Sequence, residues 1–425
     1  MPFLLFSAAI LASLERTPLT GRWRMILLSP HEEDEISSQL AGSGWYQAVG
    51  EVIAKDGPVK LIPPSDWRFA WVRDTLRHLE TAIPLLADEA SLGSTWLERG
   101  PDDIPLPPPT DYPLRARPTE TEMLRWCSQI VCHHSASTVV APISPHRIPG
   151  PPYSLIVVDD PDSCNAFSFG FGPDGAGGIV VYSGFLDSIL RTVPAAELRM
   201  RSASEPGSEE ASWWSYLFGS IATVHPPVQR YHPTREQTSE LAMLLAHELS
   251  HLVLAHHIEN LSSRMIVLPG TLSLLGDVLR AVLFPFTMIF GPFVNDAVAE
   301  MGSAINIEQI AKLGEFCTTR TQEIEADVVS ARLLAHAGFD ARRAVDFWER
   351  KHSVDSELME CTPSTPRRTH SDSLAMRLVG SGHPVQDLRM QKLREELNRW
   401  REERTAARAA LADQAQQEQA AAAAS

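Results

Sequence analysis

A chain of 425 residues that is 44% hydrophobic and 21% charged can bury a sizeable core, and its composition is neither collagen-like nor disordered. Its formal net charge of −16 excludes a nucleic-acid partner, because no dense Lys/Arg stripe is present to track a phosphate backbone. Five cysteines are too few for a disulfide scaffold in a chain this long, and the odd number leaves at least one thiol unbridged.

In chain order, residues 3–14 are apolar but shorter than the roughly 18 residues expected of a spanning helix, and they lack the basic start of a secretory signal. Residues 101–118, "PDDIPLPPPTDYPLRARP", hold too much proline for a regular helix and read as a semi-rigid linker. A helix is expected over 119–131, with Met123, Leu124, Cys127, Ile130 and Val131 on one face. Cys127 and Cys132 precede His133 and His134; with no second ligand pair at finger-like spacing, they read as a helix end rather than a second metal site. "YSLIVVDDPD" is a buried strand, and "NAFSFGFGPDGAGGIVVYSG" is two strands around a Gly-rich turn. The Ser/Glu-rich stretch near 201–212 is a surface insertion.

Thr234 and Gln237 then form a capping-box pattern that opens a helix. Residues 281–294 are apolar but interrupted by Pro285, Gly291 and Pro292, which leaves a buried segment and a membrane contact both open. A helix from Phe316 is closed by Gly338, and Asp340 caps the next, to about Lys351. Residues 361–373 read as loop, a helix follows from about Val385, and the Ala/Gln-rich tail from Thr405 has no core-forming face. The expected organisation is an N-terminal membrane-proximal region over 1–117, a main domain over 118–400 with insertions near 191–233 and 352–380, and a low-complexity tail over 401–425.

The chemistry concentrates in "LAMLLAHELSHLVLAHH", residues 241–257. His247 and His251 are four apart, so on a helix both imidazoles face one point, as two nitrogen ligands to zinc would. Glu248 lies beside them, placed to take a proton from a water at the metal. Zinc needs a third protein ligand, and "QEIEAD" supplies Glu323, with Asp327 one turn on to accept a hydrogen bond from the far nitrogen of a ligand histidine. Glu325 falls on nearly the opposite side, in a structural or substrate-facing role. A carboxylate such as Glu248 amid Leu244, Leu245, Leu249, Leu252 and Val253 is costly to bury unless a metal site satisfies it. His256 and His257 read as helix-end residues interacting with the dipole.

"HELSH" followed by "RTQEIEAD" resembles metallopeptidase family 48, through His247, Glu248 and His251 and then Arg320, Glu323, Glu325, Ala326 and Asp327. Asn165, Ala166, Phe167, Tyr182 and Gly184 are similar to that family's turn and strand ahead of the zinc helix. "GFDARRAVDFWERK" and "SGHPVQDLRMQKL", with Gly338, Phe339, Asp340, His383, Pro384 and Arg389, resemble its downstream segments. "TPLTGRWRMILLS" points to the Oma type, the mitochondrial inner-membrane proteases that overlap in function with the m-AAA protease. The resemblance covers most of residues 17–60 and 118–400.

It implies an α+β, mainly helical, zincin-like metalloprotease domain with a small sheet beside the HExxH helix, holding one zinc ion per chain. It further implies a stress-activated endopeptidase of membrane-protein quality control, membrane-associated, facing the intermembrane space and self-associating, with polypeptide substrates. Members carry a clear membrane segment ahead of the "TGR" stretch, where this chain has about a dozen apolar residues. A truncated start, attachment through 268–294 and an unanchored copy are the readings this leaves. The resemblance also makes "GGIVVYSG" an edge strand able to accept an extended substrate by strand addition. His383 and Arg389 are candidates for transition-state or substrate contacts. The rival reading is a proteolytically inactive module that binds exposed membrane-protein segments; the intact His247, Glu248, His251 and Glu323 count against it.

Overall fold

A computed structural model describes residues 13–26, 28, 30–54, 58–93, 95–98, 105–115, 117, 151–192, 233–262, 320–360 and 387–424. The helix expected over 119–131, the 201–212 insertion, the apolar 281–294 segment, the 361–373 loop and His383 lie outside these residues. The architecture is mainly helical with two small sheets.

A hairpin of β1 (Leu14–Arg16) and β2 (Trp23–Met25) opens the described chain, with Arg16 opposite Trp23. Its connection turns at Gly21, whose φ is +69° and whose place for a Cβ is taken by the Tyr112 ring at 2.4 Å, so only glycine fits. Helices α1 (Pro30–Leu40), α2 (Ser43–Ala54) and α3 (Trp67–Glu80) follow, then the short α4 (Ile83–Ala87) and α5 (Thr95–Glu98). Asp66 starts α3 by accepting a hydrogen bond from the Arg68 amide at 2.9 Å.

The second sheet holds β3 (Ser154–Val158), β4 (Ala166–Gly170) and β5 (Gly177–Tyr182) in the order β3-β5-β4. β3 runs parallel to β5, and β4 antiparallel. Side chains alternate between two buried faces, which is why these strands read as near-continuous apolar runs. Leu155, Val157, Ala166, Ile179 and Val181 join the main core, whereas Ile156, Val158, Phe167, Val180 and Tyr182 pack on Trp45, Val49 and Ile53 of α2. Gly178 sits where a Cβ would meet the Trp45 ring at 2.6 Å, so the missing side chain lets α2 approach the sheet.

"GGIVVYSG" is therefore central, not the expected edge. β3 claims one of its sides and β4 the other, a consequence of long-range pairing that local sequence does not record. The outer side of β3 is met in turn by the backbone of residues 60–62, through Ile62 N to Val157 O at 2.8 Å and Asp159 N to Lys60 O at 2.8 Å. Among the described residues, no strand pairs with the outer side of β4.

After α6 (Ser183–Thr192) comes α7 (Arg235–Val253), started by the expected capping box: the Gln237 amide donates to Thr234 Oγ1 at 3.2 Å and the Thr234 amide to Gln237 Oε1 at 2.8 Å. Every residue of α7 from Leu241 to Val253 is buried, the polar His247, Glu248, Ser250 and His251 among them. It packs against α3, β4 and β5, and against α9 (Arg320–His336). Ala255, at φ +55°, breaks the helix and redirects the chain into α8 (His256–Leu261). α9 ends as expected at Gly338, φ +83°, with the Phe339 amide donating to Leu334 O at 2.8 Å. α10 (Arg343–Glu360) and α11 (Asp387–Ala424) complete the chain, α11 running on through the Ala/Gln-rich tail with largely exposed residues.

Residues on both sides of position 117 pack into one core. Leu19, Trp71, Leu76, Leu79 and Leu86 share one hydrophobic cluster with Leu244, Leu245, Leu249 and Trp348. The Pro-rich run is docked as well: Leu114 is buried, its amide donates to Leu86 O at 3.3 Å, and Arg332 donates to Pro108 O at 3.0 Å.

Candidate metal centre

α7 and α9 lie side by side, and their facing turns build the centre. His247 and His251, one turn apart on α7, bring their Nε2 atoms to 3.3 Å. Glu323, in the first turn of α9, places Oε2 at 3.4 Å from His247 Nε2 and Oε1 at 3.6 Å from His251 Nε2. All three ligand atoms lie within 4.8 Å of one another, and all three residues are buried. Donors about 2.0–2.1 Å from a tetrahedral ion stand roughly 3.3 Å apart, so this set has the chemistry and the spacing to hold zinc. Glu248 follows His247 and is fully buried.

The remaining groups fix these donors. Asp327 Oδ1 lies 3.0 Å from His247 Nδ1, the position of an acceptor for that nitrogen's proton, leaving Nε2 to face the centre. Burial lowers the affinity of His247 for a proton, but Asp327 and Glu323 outweigh it and raise its pKa to about 9; the pocket thus favours a positive charge at its middle. Trp348 packs edge-to-face on the His247 ring at 5.0 Å.

Arg389 is buried against the carboxylates of the centre. Its Nε and Nη2 donate to the two Asp327 oxygens at 2.8 Å each, Nη1 is 3.1 Å from Glu323 Oε2, and its guanidinium lies 5.0 Å from the centre of the Trp348 ring. Burial raises the Asp327 carboxyl, but the charge and hydrogen bonds of Arg389, with His247, hold it below the usual range. These contacts make Arg389 a clamp on the Asp327 and Glu323 carboxylates.

His256 and His257 are also corrected. The left-handed Ala255 turns the start of α8 back toward α7, so His256 Nδ1 meets His251 Nδ1 at 2.8 Å, while His257 Nε2 reaches Ser168 Oγ on β4 at 3.3 Å. Neither is a free helix end. Arg24 holds this corner by donating to Leu254 O. Glu325 faces the same side: Oε2 lies 3.4 Å from His256 Nε2 and 2.7 Å from Arg22 Nη2, and Oε1 accepts from Thr20 Oγ1 at 2.6 Å. Its carboxyl is held down to about 2: burial opposes this, and His256, Arg22 and Thr20 outweigh it. Sequence reasoning missed Thr20 and Arg22; an Arg among the residues that carry the Oma-type likeness was the one available signal.

No described helix is long and apolar enough to cross a membrane. In comparisons with known proteins, the model of Peptidase family M48 matches residues 134–397, more than half of the chain. No curated protein matches it.

Proposed function

The chain belongs to peptidase family M48 and is a metallopeptidase by that membership; from that premise we propose that it is a zinc-dependent endopeptidase of mitochondrial protein quality control, cutting misfolded or stress-exposed membrane proteins. The observation that carries the reading is the convergence of His247, His251 and Glu323 on one point, with Glu248 on the same helix turn. The zincin-like description of the domain rests on that arrangement.

His247, His251 and Glu323 would hold the zinc ion, which would supply Lewis-acid polarisation of the scissile carbonyl and acidify a nearby water. Glu248 takes the proton of the attacking water and delivers it to the leaving amine. Asp327 and Arg389 keep His247 and Glu323 oriented, so that no rotamer search accompanies the reaction.

An extended substrate binds along β4 rather than β5. The Tyr182 amide donates to Asn165 O at 3.1 Å; in the alternating antiparallel ladder, Phe167 and Phe169 therefore turn their backbone groups to β5, and Ser168 turns its own outward. β4 packs beside α7, so a strand added there runs past the centre. Such pairing selects unfolded segments rather than one side chain. Inner-membrane attachment, the intermembrane-space orientation and self-association follow from the Oma-type likeness of residues 17–29.

The test compares the purified chain with Glu248→Gln on an unfolded reporter polypeptide, both zinc-loaded. Cleavage by the first and a loss of at least about 100-fold in the second support the reading. Equal binding of the reporter with no cleavage by either, under any activating condition, makes the chain a recognition module instead.

A further inference from the structure

The second ligand histidine is held from a distance. His251 presents Nε2 to the metal centre and Nδ1 to His256 Nδ1, 2.8 Å away. Two facing ring nitrogens at that distance share one proton, so one donates and the other accepts. A histidine that ligates through Nε2 must carry its proton on Nδ1, which makes His251 the donor. His256 must then be neutral, with a bare Nδ1 and its own proton on Nε2.

What selects that tautomer of His256 is the carboxylate facing Nε2, Glu325 Oε2 at 3.4 Å. The distance is long for a hydrogen bond, yet in a buried setting an anion there favours the N–H and penalises a lone pair. Glu325 in turn depends on the N-terminal hairpin. Thr20 donates to Oε1 at 2.6 Å, and Arg22 lies 2.7 Å from Oε2 while forking onto both oxygens of Glu259 at 2.8 Å. The turn is rigid: the Gly21 amide donates to Thr17 O, the Thr17 amide to Arg22 O, and Arg16 to Gly21 O at 2.8 Å.

We propose that the Thr20–Gly21–Arg22 turn is a positioning element of the metal centre, acting through Glu325 and His256 to fix the tautomer in which His251 offers Nε2 to the metal. The chain of contacts is His251, His256, Glu325, then Thr20 and Arg22, and no member beyond His251 touches the metal. A displacement of the hairpin would thereby loosen a ligand that it does not itself touch. The proposal rests on the metallopeptidase reading above, and metal binding tests it without reference to cleavage.

The experiment titrates cobalt(II), which reports its ligands through visible absorption, into the metal-free full chain and into Arg22→Ala, Arg22→Lys and Glu325→Gln, with a chelator in competition. Second-sphere partners of ligand histidines are worth about 10- to 100-fold in metal affinity. Glu325→Gln and Arg22→Ala should each weaken cobalt(II) by that factor and alter the visible bands, with the helical circular dichroism of the metal-free chain unchanged. Arg22→Lys, which keeps a cation beside Glu325, should lose less. Affinities within twofold of the parent in both Glu325→Gln and Arg22→Ala overturn the proposal while leaving the peptidase reading intact. So does weakening seen only in variants whose metal-free helical signal has collapsed, since that marks a merely structural role. A parent chain that binds neither cobalt(II) nor zinc overturns both.

Discussion

At the scale of single residues, the centre is a balance of buried charges in which Arg389 is the permanent cation. It faces Asp327 on two bonds and Glu323 on a third contact, so removing it leaves two buried carboxylates poorly compensated. Breaking a buried ion pair from one side costs about 3–5 kcal/mol, but a divalent ion in the centre supplies positive charge to the same carboxylates. Arg389→Met, which keeps an aliphatic stem against Trp348, should melt well below the parent when both are metal-free, and the gap should narrow when both are zinc-loaded. Thermal unfolding with chelator and with zinc measures both gaps; equal gaps would mean that Arg389 and the metal do not share those carboxylates. The helical spacing of His247 with His251, and of Glu323 with Asp327, was legible in the sequence because periodicity is local. The partnership of Arg389 with Asp327 spans 62 residues, and that of His256 with His251 depends on one left-handed alanine. Neither has a local signature.

At the scale of elements, the strands, the capping box of α7 and the glycine stop of α9 were legible, because turn chemistry, caps and alternation are written in neighbouring residues. Strand order was not. Whether "GGIVVYSG" lies at the edge or the centre depends on where β3 and β4 pair, and all three strands are apolar enough to suit either place. With β5 central, the substrate strand of the proposed function is β4, and Ser168 is its most telling position. Proline there removes a backbone N–H directed away from β5, a site where edge strands tolerate it, and leaves the ladder bonds of Phe167 and Phe169 in place. Because proline also removes the Ser168 Oγ contact with His257, the reference is Ser168→Ala: relative to it, Ser168→Pro should raise KM for an unfolded polypeptide several-fold, with zinc affinity and melting temperature unchanged. An unchanged KM in a folded, zinc-loaded variant would remove β4 from the substrate path.

At the scale of the whole molecule, ion pairs distant in sequence tie the N-terminal hairpin and the C-terminal helix to the middle of the chain. Arg22 joins the hairpin to Glu259 on α8, and Arg332 on α9 lies 3.9 Å from Glu396 on α11. Burial raises both carboxyls, but Arg22 outweighs it at Glu259, and Arg399 with Trp400 does so at Glu396, so both stay below the ordinary range. A depressed carboxylate contributes stability that is fully present above its unfolded pKa of about 4.3 and is lost as the pH falls through its folded value. Glu80 acts in the opposite sense. Burial keeps it raised against Arg77 and the Tyr153 amide, so its contribution is greatest in acid and is lost as the pH rises through its folded value. With Glu325 and Asp327 also depressed, the lowered carboxyls outnumber the raised Glu80 and leave a net loss in acid. The melting temperature of the chelator-treated chain should fall as the pH drops from about 5 to about 3. Glu259→Gln should melt lower than the parent at neutral pH yet lose less over that interval, because its share of the acid-sensitive stability has already been removed. If the two chains fall in parallel, the Arg22–Glu259 pair does not contribute to the acid response, and the tie between hairpin and metal corner is weaker than its geometry indicates.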